Sequence, residues 1–332
     1  MINSLNEIYL HADKPLSLKL EITNCCNLNC VHCYAMKGEN VFLEKEYIFE
    51  MLRQAKKLGV IFLHITGGEC TLHPDFINIY NYAYDLGFKI VVLTNGTNIT
   101  EEMMDMFIIK RPYLVEISIY SLCAAVSEKV TGNKGSYKKT IINIKKLKNN
   151  NINLMLKYIL MDINKDCYIP FLIFSKENNL PNKTYYNIMP TKNNKEWCEL
   201  QLNQFTKELI NYYTMGNYSE KMLTGTSKPN MDCNAGKTVL NINCLGELYY
   251  CDFLNTLKFK ARDLKYAIKN LKNQIKEYES NINTEKCNQC AMATTCDMCL
   301  AILSDEKKYK EACMSAMYRY DIRKQVKELD EL

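Results

Sequence analysis

Long apolar runs are missing from this 332-residue chain. No stretch approaches the roughly 20 apolar residues that a membrane-crossing helix needs. Met1 to Asp13 lacks the sustained apolar core of a secretory signal. A large excess of one charge sign is also missing, since 42 basic and 37 acidic residues leave a formal charge of only +5. Cysteine, by contrast, is abundant, with sixteen in all. In a short secreted chain that number would indicate a disulfide scaffold. Here the length is ample for a full core and suggests one large catalytic unit with an extension. The thiols are expected to stay reduced in a cytoplasm, where clustered cysteines read as metal ligands.

Cys26-Asn27-Leu28-Asn29-Cys30-Val31-His32-Cys33 packs three thiols into eight residues. Four thiolates normally hold a [4Fe–4S] cube, so three leave one iron open to another ligand. The bland alternative is a zinc knuckle or a set of buried thiols. Farther on, Val60 to Thr66 is an apolar, β-branched run that stops at Gly67-Gly68-Glu69, as a buried strand ending in a turn should. Glycines there permit close approach of a ligand to the backbone. Two more strand-and-tip units follow: Lys89 to Thr94 before Asn95-Gly96-Thr97, and Leu114 to Ile119 before Tyr120-Ser121. Taken singly, Asn95-Gly96 is an ordinary turn pair and Ser118 an ordinary strand serine.

In order and spacing this set resembles the radical S-adenosylmethionine superfamily, whose loop has the same three-then-two spacing with an aromatic residue, here Tyr34, after the third thiol. The resemblance implies that Cys26, Cys30 and Cys33 hold a cluster whose open iron chelates S-adenosylmethionine and reduces its sulfonium to give a 5′-deoxyadenosyl radical. It implies cofactor contacts from Tyr34, from the backbone of Gly67, Gly68 and Glu69, and from Asn95 and Ser118. Cys70 stands where the family usually has proline.

Helical apolar spacing over Tyr47 to Leu58, Phe76 to Leu86, Tyr137 to Leu147 and Cys167 to Glu177 alternates with strand-like runs. Besides the three above, these are Leu16 to Ile22, Asn153 to Leu160 and Tyr185 to Met189. Alternation predicts an α/β fold with a parallel sheet and helices outside. Six strands are too few for a closed eight-stranded barrel. The expectation is therefore a partial (β/α)6 TIM barrel, as the resemblance also implies, with the strand tips gathered at one edge. The expected division is an N-terminal segment over 1–15, the barrel over 16–220 and a cysteine-rich extension over 221–332.

Helical periodicity over Leu200 to Tyr213 gives way to a turn-rich stretch at 225–230 and a second cysteine array. Cys233 is followed by twelve residues, Gly246, four residues and Cys251, and then by Cys287, Cys290, Cys296, Cys299 and Cys313. This resembles the SPASM domain, which carries two auxiliary [4Fe–4S] clusters in peptide-modifying radical enzymes. One departure is that two residues, not three, separate Cys296 from Cys299. The resemblance allots Cys287, Cys290, Cys296 and Cys313 to the outer cluster, and Cys233, Cys251 and Cys299 to the inner one. An eighth cysteine of some relatives is missing near Ser227, which leaves the inner cluster an open iron or a fourth ligand from Cys198 or Cys244. Two Cys-x-x-Cys pairs would also suit a zinc ribbon. Three clusters with ten thiolates would add about −4, bringing the net charge near zero and arguing against nucleic-acid binding.

Together the arrays imply that a substrate carbon loses a hydrogen atom to the 5′-deoxyadenosyl radical and then an electron to an auxiliary cluster. That favours oxidative modification of a peptide during ribosomal peptide maturation: a thioether, C–C or C–O cross-link, or a dehydrogenation. The proton needs an acceptor, and Asp252 is the candidate, because sulfatase-maturing relatives use an aspartate at this place. The twenty-five residues before Cys26 are too few for a winged-helix recognition domain, so a peptide leader would be read by a separate protein or by the barrel and extension. A flavodoxin or ferredoxin is the expected reductant. The alternatives are oxidation of an aminosugar or tetrapyrrole side chain, sulfatase maturation, and, outside enzymes, an iron–sulfur electron carrier.

Overall fold

The structure, a computed structural model, describes residues 2–35, 38–186 and 233–282, with isolated residues between 188 and 207 and between 287 and 321. Among these are eight helices: α1 (Ile2–His11), α2 (Lys45–Lys57), α3 (Phe76–Asp85), α4 (Glu101–Ile109), α5 (Ala124–Thr131), α6 (Ser136–Asn149), α7 (Tyr168–Glu177) and α8 (Leu264–Ser280). The nine described strands are β1 (Ser17–Glu21), β2 (Phe62–Thr66), β3 (Lys89–Thr94), β4 (Leu114–Ile119), β5 (Leu154–Ile159), β6 (Asn182–Tyr185), β7 (Val239–Ile242), β8 (Glu247–Cys251) and β9 (Leu254–Lys260). They form one sheet in the order β6-β5-β4-β3-β2-β1-β7-β8-β9.

The strands β1 to β6 pair in parallel, each with the next, so the expected half-barrel is present. Lys89–Thr94 and Leu114–Ile119 match their expected bounds residue for residue. The sixth strand runs over Asn182–Tyr185 rather than Tyr185 to Met189. Its position is set by β5, where Leu156 N–H donates to the Pro181 carbonyl and Leu160 N–H to that of Tyr185. Met189, the segment 225–230 and most of the helix expected over Leu200 to Tyr213 lie outside the described residues.

Period-2 burial explains how the sheet is layered. Leu18, Leu20, Leu63, Ile65, Val92, Val115 and Ile117 are fully buried. They face the helices, whose own buried stripes recur at helical spacing, as with Ile48, Met51, Leu52 and Ala55 on α2. Each such side chain contributes about 2 kcal/mol by leaving water. The α4 helix starts where Thr100 Oγ1 accepts from Met103 N–H at 3.2 Å, with Glu101 and Glu102 in the first turn. The opposite, inner face of the sheet carries Lys19, Glu21, His64, Glu116 and Lys157 and is half-open.

Cα proximity divides the chain into two compact units: residues 1–201, 235–251 and 255–271, and residues 202–234, 252–254 and 272–332. The first unit takes in β7, which pairs in parallel with β1 from Ser17↔Val239 to Leu20↔Ile242. Antiparallel β8 returns beside it, with Asn241 opposite Tyr249.

Candidate active site

The carboxyl ends of β1 to β4 lie together, and the three-thiol loop leaves the first of them. Its backbone is fixed on two sides. On one, Gly68 N–H donates to the Thr23 carbonyl at 2.8 Å and Glu69 N–H to that of Cys25 at 2.7 Å. On the other, Asn29 N–H donates to the Thr131 carbonyl at 2.9 Å and Val31 N–H to that of Val130 at 3.0 Å, seating the loop on the end of α5. A Cβ on Gly67 would lie 2.2 Å from the Thr23 oxygen, and one on Gly68 would lie 2.4 Å from the Cys25 oxygen. The glycines thus permit backbone to approach backbone, holding the loop, in addition to any ligand that the turn meets.

Glu69 is buried, and its carboxylate is the hub of the site. It accepts from Thr71 N–H at 3.2 Å, Thr71 Oγ1 at 2.8 Å, Thr94 Oγ1 at 2.6 Å and Asn95 N–H at 2.7 Å, joining the β2 tip to the β3 tip. That side chain is therefore occupied within the protein. We expect Glu69→Gln, which puts an NH2 among these donors, to cost about 3 kcal/mol in urea unfolding.

Asn95 reaches back to the loop: its Nδ2 donates to Asn27 Oδ1 at 3.0 Å and stands 3.9 Å from Cys26 Sγ. Asn27 Nδ2 in turn donates to Thr97 Oγ1 at 2.8 Å. Cys30 Sγ lies 3.8 Å from the Tyr120 hydroxyl, and the His32 ring packs against Tyr120 at 5.1 Å, its Nδ1 without a hydrogen-bond partner among the described residues. Asn95 and Ser118 line one cleft with Leu28, Tyr120, Tyr137 and Thr140. Tyr34 is half-exposed, its ring 6.0 Å from Lys19 Nζ.

Burial raises the Cys26 thiol to about 11 and the Cys30 thiol to about 12, and repulsion between the loop thiolates adds to both. Burial, with the Lys157 ammonium, lowers His32 to about 4. Such a donor set suits a positively charged iron core that takes thiolates. No three His, Cys, Asp or Glu side chains among the described residues surround one point closely enough for a single metal ion.

Lys157 was not singled out from the sequence. It is the β5 partner of Ser118 in register and lies 3.6 Å from Glu116 on β4. Asn27 and Thr94 were likewise missed; a second amide beside the first loop thiol and a hydroxyl at a strand tip were the available signals. Cys70 is fully buried, its thiol donating to the Leu93 carbonyl at 3.4 Å, and burial pushes its pKa well up, which makes it a packing residue.

In the second array, Cys290 N–H donates to the Cys287 carbonyl at 3.2 Å, closing that Cys-x-x-Cys pair into a turn, and Leu303 N–H donates to the Cys299 carbonyl at 3.0 Å. Cys287 is buried, Cys290 exposed, and Cys233, Cys296, Cys299 and Cys313 half-buried. Cys251 ends β8, and Asp252 is half-buried in the turn to β9. Cys244 is buried in the turn that joins β7 to β8. Cys198 lies outside the described residues.

Residues 20–173 match the sequence profile of the Radical SAM superfamily, and this part of the chain is a radical SAM domain. Such a domain implies a [4Fe–4S] cluster and S-adenosylmethionine as cofactors. Among individual proteins, the chain is similar to the antilisterial bacteriocin subtilosin biosynthesis protein AlbA of Bacillus subtilis, at 34% identity over 142 residues, 42% of this chain. The match spans only 32% of AlbA's own length. Mycofactocin maturase MftC of Mycolicibacterium smegmatis is 24% identical over 269 residues, 76% of this chain and 68% of that one. The fold is that of SuiB from Streptococcus suis bound to S-adenosylmethionine, with a TM-score of 0.67 at 18% identity over 89% of this chain and 75% of SuiB. SuiB bound to precursor peptide SuiA gives 0.66 at 16% identity, over 91% and 77%. Among the described residues no helix is long and apolar enough to cross a membrane.

Proposed function

We propose that this chain is a radical S-adenosylmethionine enzyme that oxidatively modifies a ribosomally made peptide. The observation that carries the radical chemistry is the three-thiol loop held at the carboxyl edge of a parallel sheet, beside the cleft of Asn95 and Ser118. The peptide substrate is supported by the names of AlbA and MftC as biosynthesis and maturation proteins and by the SuiB–SuiA complex. When bound, the cluster and cofactor supply a 5′-deoxyadenosyl radical that takes a hydrogen atom from an unactivated carbon.

The protein's own residues bind and orient. Cys26, Cys30 and Cys33 hold the cluster. The backbone of Gly67, Gly68 and Glu69 would receive the methionine amino group, and Tyr34, Asn95 and Ser118 would line the rest of the cofactor, with Lys157 beside Ser118 and paired to Glu116. The domain division at 220/221 and two auxiliary clusters complete the reading, the outer on Cys287, Cys290, Cys296 and Cys313, the inner on Cys233, Cys251 and Cys299. Asp252 accepts the proton that accompanies electron loss. The setting is a reducing cytoplasm, with a flavodoxin or ferredoxin as electron donor and recognition of any leader by a separate protein or by the barrel and extension.

The test is anaerobic incubation of reconstituted protein with dithionite, S-adenosylmethionine and the synthetic peptide of a short reading frame beside the gene. A peptide lighter by about two hydrogens, formed with 5′-deoxyadenosine, is expected; 5′-deoxyadenosine without any change in the peptide would sink the peptide reading. For Asp252→Asn, product per 5′-deoxyadenosine should fall at least tenfold, and an unchanged ratio would remove Asp252 from the chemistry.

A further inference from the structure

Glu21 is the last residue of β1, and its side chain lies on the face opposite the fully buried Leu20 and Ile22. On that inner face Tyr249 of β8 donates its hydroxyl to Glu21 Oε1 at 2.7 Å. Lys19 Nζ stands 3.4 Å from the same oxygen and 5.6 Å from the Tyr249 ring. His64, level with Lys19 on β2, is held neutral, its pKa lowered to about 4 by burial and by the Lys19 charge. One carboxylate oxygen is thus committed and its orientation locked. Among the described residues nothing donates a hydrogen bond to the other, Oε2. The Glu21 side chain keeps 23% of its surface open and that of Lys19 16%.

Stability does not account for this arrangement. Ion pairs taken partly out of water offset their desolvation poorly, and apolar side chains of the same volume serve a core as well. Placement does account for it. Glu21 pairs in register with Thr66, directly before Gly67-Gly68, and lies five residues ahead of Cys26, at the strand edge where parallel α/β sheets bind their ligands. An ionised carboxylate only accepts hydrogen bonds, and Lys19 cancels its net charge, so the fitting ligand is a neutral donor rather than a cation.

We propose that Glu21 anchors the substrate, Oε2 accepting a hydrogen bond from a backbone amide N–H or a hydroxyl of the peptide undergoing modification, with Tyr249 as its positioning residue. The proposal rests on the peptide reading and adds to it a residue that sets how the target carbon is presented.

The test compares holoenzyme carrying Glu21→Gln, Glu21→Ala or Tyr249→Phe with the unaltered protein, using the neighbouring-frame peptide, fluorescently labelled, as probe. Glu21→Ala should raise both the anisotropy Kd and the KM for the peptide at least tenfold, with kcat changed less than threefold. Glu21→Gln, isosteric and still an acceptor, should give a smaller rise, and Tyr249→Phe should fall between the two. Equal Kd and KM in all four proteins would overturn the role while leaving peptide maturation standing. A fall in melting temperature and in kcat with Kd unchanged would make the group a structural clamp and overturn it as well. If the unaltered protein neither binds nor modifies the peptide, the peptide reading fails, and the anchor fails with it.

Discussion

Alanine at Cys26, Cys30 and Cys33 together is expected to abolish 5′-deoxyadenosine formation. It should also lower the iron content of reconstituted protein from about twelve to about eight atoms per chain. The two readouts test different things. Loss of cleavage follows if the loop thiols alone present an iron to the cofactor. Of the nearby cysteines, Cys70 is fully buried with its thiol on the Leu93 carbonyl, and the Cys25 backbone is fixed by its N–H on Thr23 Oγ1 at 2.9 Å and its carbonyl under Glu69 N–H. Retention of about eight irons follows only if the second array carries two clusters of its own. Cleavage that survived the triple substitution would dispose of the radical assignment. A starting content of about four irons would leave the radical chemistry and remove the auxiliary clusters.

The second large effect is expected of one added methyl group. In Gly68→Ala the new Cβ would stand 2.4 Å from the Cys25 oxygen and 2.5 Å from that of Asn24, both backbone atoms that no side-chain rotation can move aside. The loop must shift or the turn must open, and either breaks the bond from Glu69 N–H to Cys25 that fixes the first thiol. We expect cofactor cleavage to fall at least a hundredfold, with a loss of about 4 kcal/mol in stability. Gly67→Ala should behave alike, because Gly67 adopts φ +148° against the Thr23 oxygen. By contrast, Gly59→Ala meets no atom within 4 Å and has only its φ of +91° to resist it. A Gly68 variant that kept more than half its activity would show that the turn does not hold the loop.

The half-barrel was legible because its strands are β-branched runs bounded by turn residues, as in Lys-Ile-Val-Val-Leu-Thr at 89–94. The three thiols and the Gly-Gly-Glu turn were legible as motifs, but the sequence reading assigned the glycines to the ligand alone, whereas the near contacts are with Thr23, Asn24 and Cys25. The strands β7 and β8 escaped notice because they lie inside the cysteine array, where ligand spacing dominates the pattern and Asn241 interrupts a short apolar run. The pairing of Glu21 with Tyr249 joins residues 228 positions apart, and no local periodicity reports such a distance. Lys157 was hidden for a related reason: a lone lysine in a strand reads as solvated until register places it beside Ser118.

The parallel pairing of β7 with β1 has a consequence for any attempt to produce the barrel alone. A chain stopped at residue 220 would leave the N–H and C=O groups of Ser17 to Leu20 as an open edge on a strand whose apolar side is fully buried. Open apolar edges recruit strands from other molecules. Truncates of this kind should self-associate, and those extended past Lys260 should not, because the outermost strand is then β9 with its exposed lysines; the barrel borrows its protective strands from within the cysteine array.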